Sequence, residues 1–333
     1  MTSNWQWKLV IALLSGVLLL IAGYVYEKAA EWRDKKVHPA LGRIVAVGNH
    51  KLHLLCKGSG APTVVIEQGA GEPSRLWWPV QDKIAEFASV CTYDRAGYGW
   101  SEPVAGGRTI AERAEELHTL LTNAGIPGPY ILVAHSYGGF IIRCFARKHP
   151  DQTAGLVLVD TPEEAAFFRR EVLNFYSRLR FMNGAVEVAA RFGVLRLFGQ
   201  LFPLDHVGFS FVRSAEYSAA GDDLASLQLV EPPMGNFGGV GSLGDMPVAV
   251  ITHGQPFPGP FFILEKGWSE GQTRLAGLST NSLLIRANKS NHMIQIDEPG
   301  LVVDAVRRVH AAARNKAKLA HDRTSQELSA VRP

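Results

Sequence analysis

The sequence predicts an α/β protein with a mostly parallel central sheet and helices on both of its faces. Short apolar runs alternate with amphipathic, helix-like segments through most of the 333-residue chain, and this alternation is typical of repeated βαβ units. Near the start, a Gly48-Asn49 pair separates two strand-like runs. This pair predicts a β-hairpin ahead of the parallel part of the sheet.

The predicted elements follow one another along the chain in a regular order. Strands are expected at 43–47, 51–55, 63–66, 90–93, 130–134, 156–159, 248–252 and 282–286. Helices are expected at 78–88, 109–124, 138–148, 264–278 and 301–313. Gly125 and Pro127 end the second helix, because neither residue type continues one readily.

One long segment interrupts the alternation. Residues 161–244 look helical and loop-like, and we interpret them as a helical cap (lid) inserted after the sixth strand. The core of the fold then comprises 41–160 and 245–313, and residues 314–333 are expected to form a flexible tail.

Composition and charge exclude several classes of function. The chain has 34 Lys+Arg and 31 Asp+Glu residues, which gives a formal net charge of +3 and no basic stripe. We therefore expect no nucleic-acid partner. Neither a CxxC pair nor HExxH occurs, so no metal is expected. The GxGxxG pattern at Gly239–Gly244 leads into a strand rather than a helix, the reverse of a dinucleotide site, so no cofactor is expected.

The stretch Leu9–Tyr26 predicts a membrane-spanning helix. It carries no charged residue and, as a helix, would be about 27 Å long, close to the roughly 30 Å of a bilayer's hydrocarbon core. Trp5, Trp7 and Tyr24 lie at its ends, as in aromatic belts. We expect residues 1–40 to form a single-pass anchor and a charged linker. A cleaved signal peptide is the alternative, although no A-x-A-like site follows closely.

The segment Tyr130–Gly139 predicts a nucleophilic serine. It reads YILVAHSYGG, an apolar strand that leads through Ser136 directly into a helix. A serine on such a tight strand-to-helix turn projects its hydroxyl above the sheet, and small residues are needed two positions before and after it. Gly138 meets this need, whereas Ala134 stands where the usual G-x-S-x-G motif has glycine. The alternative is an ordinary surface serine at a helix N-terminus.

Together with this turn, the segment Tyr93–Ser101 (YDRAGYGWS) resembles the D-R-x-G-x-G-x-S loop of the α/β-hydrolase family. The resemblance extends from about residue 43 to residue 313, without the cap, and is closest to esterase and lipase-like members. It implies the α/β-hydrolase fold and a serine hydrolase that works through an acyl-enzyme.

The resemblance also implies where the base and the acid lie. His292 follows the last predicted strand, ahead of a D-x-P sequence, and is the predicted general base. The usual acid position, after the strand at 248–252, carries no carboxylate. The minority position, after the sixth strand, carries Asp160, whose buried charge an imidazole would stabilise. Asp160 is therefore the preferred acid. Three other carboxylates remain open: Glu265, Glu270 and Asp245.

In the predicted mechanism His292 takes the proton of Ser136, which attacks an acyl carbon, while the acid holds the imidazole in the right tautomer. The oxyanion requires two backbone N–H donors. One is expected from Tyr137, after the nucleophile. The other is expected from Ala70, in the glycine-rich loop after the third strand.

The cap is rich in phenylalanine and suggests the kind of substrate. Its phenylalanines form either the cap's own core or an apolar acyl pocket, and the predicted substrate contacts are Phe167, Phe168 and Phe211. Together with a membrane anchor, such a pocket favours a small-molecule or lipid ester. Two alternatives remain open: an amidase or peptidase on the same residues, and a non-catalytic α/β-hydrolase scaffold that binds a ligand or partner.

The cysteines bear on the compartment. In the family's sheet order the strands of Cys56 and Cys91 are neighbours, so the resemblance implies a disulfide between them, and Cys144 is expected to be a buried helix residue. A disulfide favours an extracytoplasmic catalytic domain. The Lys and Arg residues that follow the apolar stretch favour the opposite orientation.

Overall fold

The computed structural model describes residues 4–104, 106–201, 214–227 and 241–319. Its sheet has eight strands in the order β1-β2-β4-β3-β5-β6-β7-β8. The pairs β1–β2 and β2–β4 are antiparallel, and all other neighbours are parallel. The strands are β1 Arg43–Val47, β2 His50–Lys57, β3 Thr63–Glu67, β4 Val90–Tyr93, β5 Tyr130–His135, β6 Thr153–Val159, β7 Val248–His253 and β8 Ser282–Ala287.

Helices cover both faces of this sheet, so the predicted fold class is confirmed. Ile84 and Val306 are buried against one face, and Leu117, Phe140 and Leu275 belong to the core on the other. The helices are α1 Asn4–Val37, α2 Trp78–Ala85, α3 Ile110–Asn123, α4 Gly138–Lys148, α5 Glu164–Phe167, α6 Arg170–Arg191, α7 Val194–Leu201, α8 Ser214–Ser226, α9 Trp268–Ala276, α10 Ile294–Asp297 and α11 Pro299–Asn315.

Local chemistry explains where several of these elements begin. Val47 pairs with His50, which leaves Gly48 and Asn49 as the predicted two-residue hairpin loop. Thr109 caps α3 through a reciprocal capping box with Glu112. Helix α9 starts at Trp268 rather than at residue 264, because Gly267 has a φ of 77°, which a right-handed helix does not accommodate.

The segment interpreted as a cap lies between β6 and β7. Its described part consists of α5, α6, α7 and α8, and α6 and α8 pack against each other. Because the parallel strands β5, β6 and β7 all end at the same edge of the sheet, a segment inserted after β6 begins beside that edge. It then crosses to the opposite edge, where β7 starts.

The N-terminal helix α1 is long and apolar enough to cross a membrane. Residues Trp5–Val37 have a mean hydropathy of 2.4 in their most apolar window, and no residue of that window is buried. The helix continues through the charged segment expected to be a linker, where Arg196 of the cap bonds Glu27 at 2.9 Å and Asp34 at 2.7 Å. The second half of α1 is thus attached to the cap by ion pairs.

A disulfide joins the two antiparallel strands β2 and β4. Cys56 and Cys91 face each other in register and are bonded, as the resemblance implies. Cys144 lies on α4 as a buried free thiol, also as expected.

Candidate active site

The turn between β5 and α4 holds Ser136 in a left-handed backbone conformation. Its φ is 47°, and its N–H donates to the Val159 carbonyl oxygen at 3.1 Å. Few side chains tolerate such a φ, and residues kept in it cluster at functional sites. A Cβ at Gly138 would lie 2.6 Å from the carbonyl oxygen of Gln68, which explains why glycine stands there. Ala134 lies within β5, where its methyl group is accommodated.

Two hydrogen bonds connect Ser136, His292 and Asp160, although these residues lie far apart in the sequence. Nε2 of His292 is 2.9 Å from Oγ of Ser136. Nδ1 of the same ring is 2.7 Å from Oδ2 of Asp160. A carboxylate can only accept, so Nδ1 carries the hydrogen and Nε2 of the neutral ring is free to accept the serine proton. The structure thus brings together all three residues that the sequence selected.

Asp160 is fully buried yet well provided with donors. It follows β6 directly, at 0% exposure, and has a φ of 47°. Besides His292, its carboxylate accepts from Nδ1 of His253 at 2.8 Å and from the indole N–H of Trp268 at 2.9 Å. Burial alone would raise the pKa of Asp160, but the bonds from His253 and His292 outweigh burial and hold the pKa well below its usual range. The carboxylate is therefore ionised.

The sequence missed His253 and Trp268. His253 ends β7, at the position where the family resemblance places the acid, and this position was the one signal that could have found it. Its Nε2 atom also lies 3.4 Å from Glu265. Burial would lower the pKa of His253, but its bond to Asp160 raises the pKa above its ordinary value.

The three alternative acids lie elsewhere. Glu265 contacts His253, Glu270 is an exposed side chain paired with Arg274, and Asp245 is exposed in a loop. Within the described ranges, none of them is a hydrogen-bond partner of His292.

A second buried pair lies under the serine turn. His135 bonds Glu72 through Nδ1 at 2.6 Å and the carbonyl oxygen of His292 through Nε2 at 2.8 Å. Because both partners accept, His135 carries hydrogens on both ring nitrogens. Burial opposes this charge, but Glu72 raises the pKa of His135 above its usual value.

The charge on His135 reaches the ring of His292, whose centroid is 4.5 Å away. Burial, followed by this charge, lowers the pKa of His292 below its ordinary value, although Asp160 opposes the shift. His292 is therefore a neutral imidazole at neutral pH, which is the form that can act as a general base.

The two predicted oxyanion donors lie in the segments that flank the serine. In the part of the chain described here, neither the N–H of Tyr137 nor that of Ala70 donates to a protein acceptor. The neighbours of Ala70 are occupied: Gly69 donates to Glu72 at 3.0 Å and Gly71 donates to the Tyr98 hydroxyl at 3.1 Å.

The three predicted substrate contacts differ in where they lie. Phe167 is buried at the junction of cap and core, with its ring centroid 5.4 Å from Phe140 and 5.0 Å from Tyr176. Phe168 is partly buried beside it, and Phe211 lies outside the described residues. Phe167 packs as a core residue, because the rings around it leave it little free surface.

Two other features lie away from this site. A cavity of about 290 Å³ lies where the end of α1 meets Trp78, Trp100 and Glu216. Neither Ser136, His292 nor Asp160 lines this cavity. Elsewhere in the described chain, the donor atoms of Glu115, His118 and His149 lie within 4.8 Å of one another. Oε1 of Glu115 already accepts a hydrogen bond from Lys148 at 2.7 Å.

Comparison with known proteins agrees with this architecture. The family described as the alpha/beta hydrolase fold matches residues 62–206. YqjL, an uncharacterized protein of Bacillus subtilis, is 29% identical over 265 residues, which are 78% of this chain and 88% of that protein.

Solved structures resemble the chain over most of its length. A structure assigned as a lipase, lip1, from Acinetobacter baumannii has a TM-score of 0.65 at 16% identity and covers 87% of this chain and 97% of its own. A thermophilic esterase from Thermogutta terrifontis has a TM-score of 0.58 at 20% identity, covering 80% and 98%. At such identities these structures are similar to the chain in fold. The chain therefore has the α/β-hydrolase fold, and its residues 62–206 match the family of that description.

Proposed function

We propose that this protein is a membrane-tethered serine hydrolase that cleaves carboxylic esters of apolar acyl groups. The observation that carries the proposal is the continuous hydrogen-bonded chain from Asp160 through His292 to Ser136. A structural serine would have no need of a neutral imidazole at 2.9 Å, held in one tautomer by a buried carboxylate. This arrangement is the one that activates a hydroxyl for acyl transfer.

The mechanism has two halves. Nε2 of His292 accepts the proton of Ser136 as Oγ attacks the carbonyl carbon of the ester, and Asp160 stabilises the imidazolium that forms. The N–H groups of Tyr137 and Ala70 donate to the oxyanion of the tetrahedral intermediate. His292 then gives its proton to the departing alcohol, leaving an acyl-enzyme. In the second half, His292 takes a proton from water, which attacks the acyl carbon of the acyl-enzyme. His292 then returns the proton to Oγ of Ser136 as the carboxylic acid leaves.

An ester is favoured over other acyl substrates by the setting of the site. The cap above the sheet edge is rich in phenylalanine, and α1 would hold the enzyme where lipophilic esters concentrate. A lipase and an esterase stand among the proteins that share the fold. Epoxide or haloalkane hydrolysis is not proposed, because both reactions need an aspartate where Ser136 stands.

The disulfide supports the proposed compartment. A bond between Cys56 and Cys91 is stable in an oxidising compartment, which supports an extracytoplasmic catalytic domain anchored by α1.

The decisive experiment measures turnover of a p-nitrophenyl ester chain-length series by the full chain in detergent. We expect Ser136→Ala to reduce kcat by roughly 10³- to 10⁶-fold and to abolish labelling by a fluorophosphonate probe. Ser177→Ala, on the cap helix α6, is the matched control and should behave as the parent protein. Turnover that survives in Ser136→Ala would remove the assignment. The same panel with p-nitroanilides separates esterase from amidase activity.

A further inference from the structure

One helix of the cap contacts both backbone segments that supply the proposed oxyanion donors. This helix is α8, Ser214–Ser226. Its Asp223 reaches the loop that contains Ala70, and its Ser226 reaches Tyr137. The cap and the oxyanion site are therefore joined by polar contacts rather than by apolar packing alone.

Asp223 carries a fully buried carboxylate surrounded by donors of the core. One oxygen lies 2.9 Å from the Arg95 guanidinium and 2.6 Å from the Tyr98 hydroxyl, and the other lies 3.0 Å from Arg113. Burial would raise the pKa of Asp223, but Arg95 and then Arg113 hold it below its usual range. Asp223 is thus an anion that compensates two buried cations.

These cations lead directly to the oxyanion loop. Arg95 donates to the carbonyl oxygens of Gln68 and Gly69, each at 2.7 Å. On the other side of Ala70, the N–H of Gly71 donates to Tyr98 at 3.1 Å and lies 3.4 Å from the Asp223 carboxylate. The peptide groups on both sides of Ala70 are therefore held by groups that Asp223 binds.

The second donor is held from the same helix. The Tyr137 hydroxyl lies 2.7 Å from Oγ of Ser226, which donates to the Asp223 carbonyl oxygen at 2.7 Å. The Tyr137 ring also lies beside the guanidinium groups of Arg95 and Arg113, at 5.6 and 5.8 Å. Removal of α8 would leave these two cations close together without Asp223, although Glu67 would still pair with Arg95.

We propose that Asp223 is a positioning residue which fixes the oxyanion loop, so that docking of the cap helix and completion of the oxyanion site are one event. The inference rests on the proposed function, because it assigns a role to Ala70 and Tyr137 in that reaction. Asp223 acts through Arg95 and Tyr98 and does not itself touch the reacting atoms. Ser226 performs the matching task for Tyr137.

The test compares Asp223→Asn with Asp222→Asn in the full chain. Asp222 is its neighbour on α8 and undergoes the same change of charge. Active sites are counted with a fluorophosphonate, and kcat, KM and the affinity for an alkyl trifluoromethyl ketone are then measured per active site. The ketone forms a tetrahedral adduct whose oxyanion requires the same donors.

For Asp223→Asn we expect kcat per active site to fall about 10²-fold, ketone affinity to fall in parallel, and KM to stay within a few-fold. Asp222→Asn should match the parent protein. A merely structural role would lower the fraction of active sites and leave both quantities per site unchanged, and this result overturns the inference.

Ser226→Ala keeps the buried charges intact and decides the question if Asp223→Asn does not fold. It should lower kcat and ketone affinity together by a smaller factor, and unchanged values would contradict the inference. Failure of the proposed function is distinguishable, because it appears as turnover that survives in Ser136→Ala.

Discussion

Nδ1 of His253 lies 2.8 Å from Oδ2 of Asp160, across the ends of two neighbouring parallel strands. His253 occupies the place after β7 where the family resemblance would put the acid, and the carboxylate comes instead from the end of β6. The carboxylate is thus displaced by one strand. It still reaches His292, because β6 and β7 are adjacent. His253 then supplies one of the donors that keep Asp160 ionised.

We expect Asp160→Asn to lower kcat by about 10⁴-fold with little change in KM. An amide can donate to Nδ1, which would place the ring hydrogen on Nε2 and leave no acceptor for the Ser136 proton. Ester turnover by the purified full chain measures the effect. Glu270→Gln is the control, since this side chain is 81% exposed, and should retain parent activity. If Glu265→Gln produced the large loss instead, the acid would have been misassigned.

The acidic limb of kcat/KM should have its midpoint below pH 6.5. The pKa of His292 lies below its ordinary value of 6.5 because of burial and the nearby charge of His135. The neutral ring is the active form, so activity is present above this pKa and is lost as the pH falls through it. A pH–rate profile of the parent protein, with stability checked at each pH, reports the midpoint. A midpoint above 6.5 would contradict the pKa direction inferred for His292.

Some parts of the site could be predicted from the sequence, and others could not. Ser136, His292 and Asp160 could be selected because each follows a recognisable strand, and parallel strands end at one edge. The partnership of Arg95 with Asp223 could not be predicted, because the two residues meet only through the docking of the cap helix α8, and no strand pattern indicates where that helix docks. Phe167 was grouped with a substrate pocket by composition, which does not distinguish a ring in a pocket from a ring in the core.

Two glycines should respond oppositely to alanine. A Cβ at Gly138 would lie 2.6 Å from the backbone oxygen of Gln68, so Gly138→Ala should destabilise the fold by about 1–3 kcal/mol. At Gly184, within α6, a Cβ meets nothing within 4 Å, so Gly184→Ala should stabilise by up to about 1 kcal/mol. Denaturant unfolding compares the two. Equal effects would show that the close approach at Gly138 does not constrain the turn.

The disulfide should be detectable and should stabilise the body of the protein. Non-reducing mass spectrometry of the chain, isolated from its native membrane, is expected to find Cys56 and Cys91 linked and Cys144 free. Replacing both linked cysteines by serine should cost roughly 2–4 kcal/mol in free energy of unfolding. Cys144→Ala serves as the control and should leave the linked peptide unchanged. Three free thiols would instead favour the cytoplasmic orientation suggested by the flanking Lys and Arg residues.

The presence or absence of helix α1 in the mature chain distinguishes a membrane anchor from a cleaved signal peptide, because only an anchor is retained. We expect the intact mass of the membrane-extracted protein to include residues 9–26, and alkaline carbonate to leave the protein in the membrane. Leu14→Arg places a charge in the middle of the apolar stretch, at an insertion cost of about 3 kcal/mol, and should shift protein to the soluble fraction. Leu41→Arg, an exposed site beyond the helix, is the control and should not. A mature chain that lacks the apolar stretch would instead identify this part of α1 as a signal peptide. In that case Glu27 and Asp34, which pair with Arg196 of the cap, would lie close to the new N-terminus.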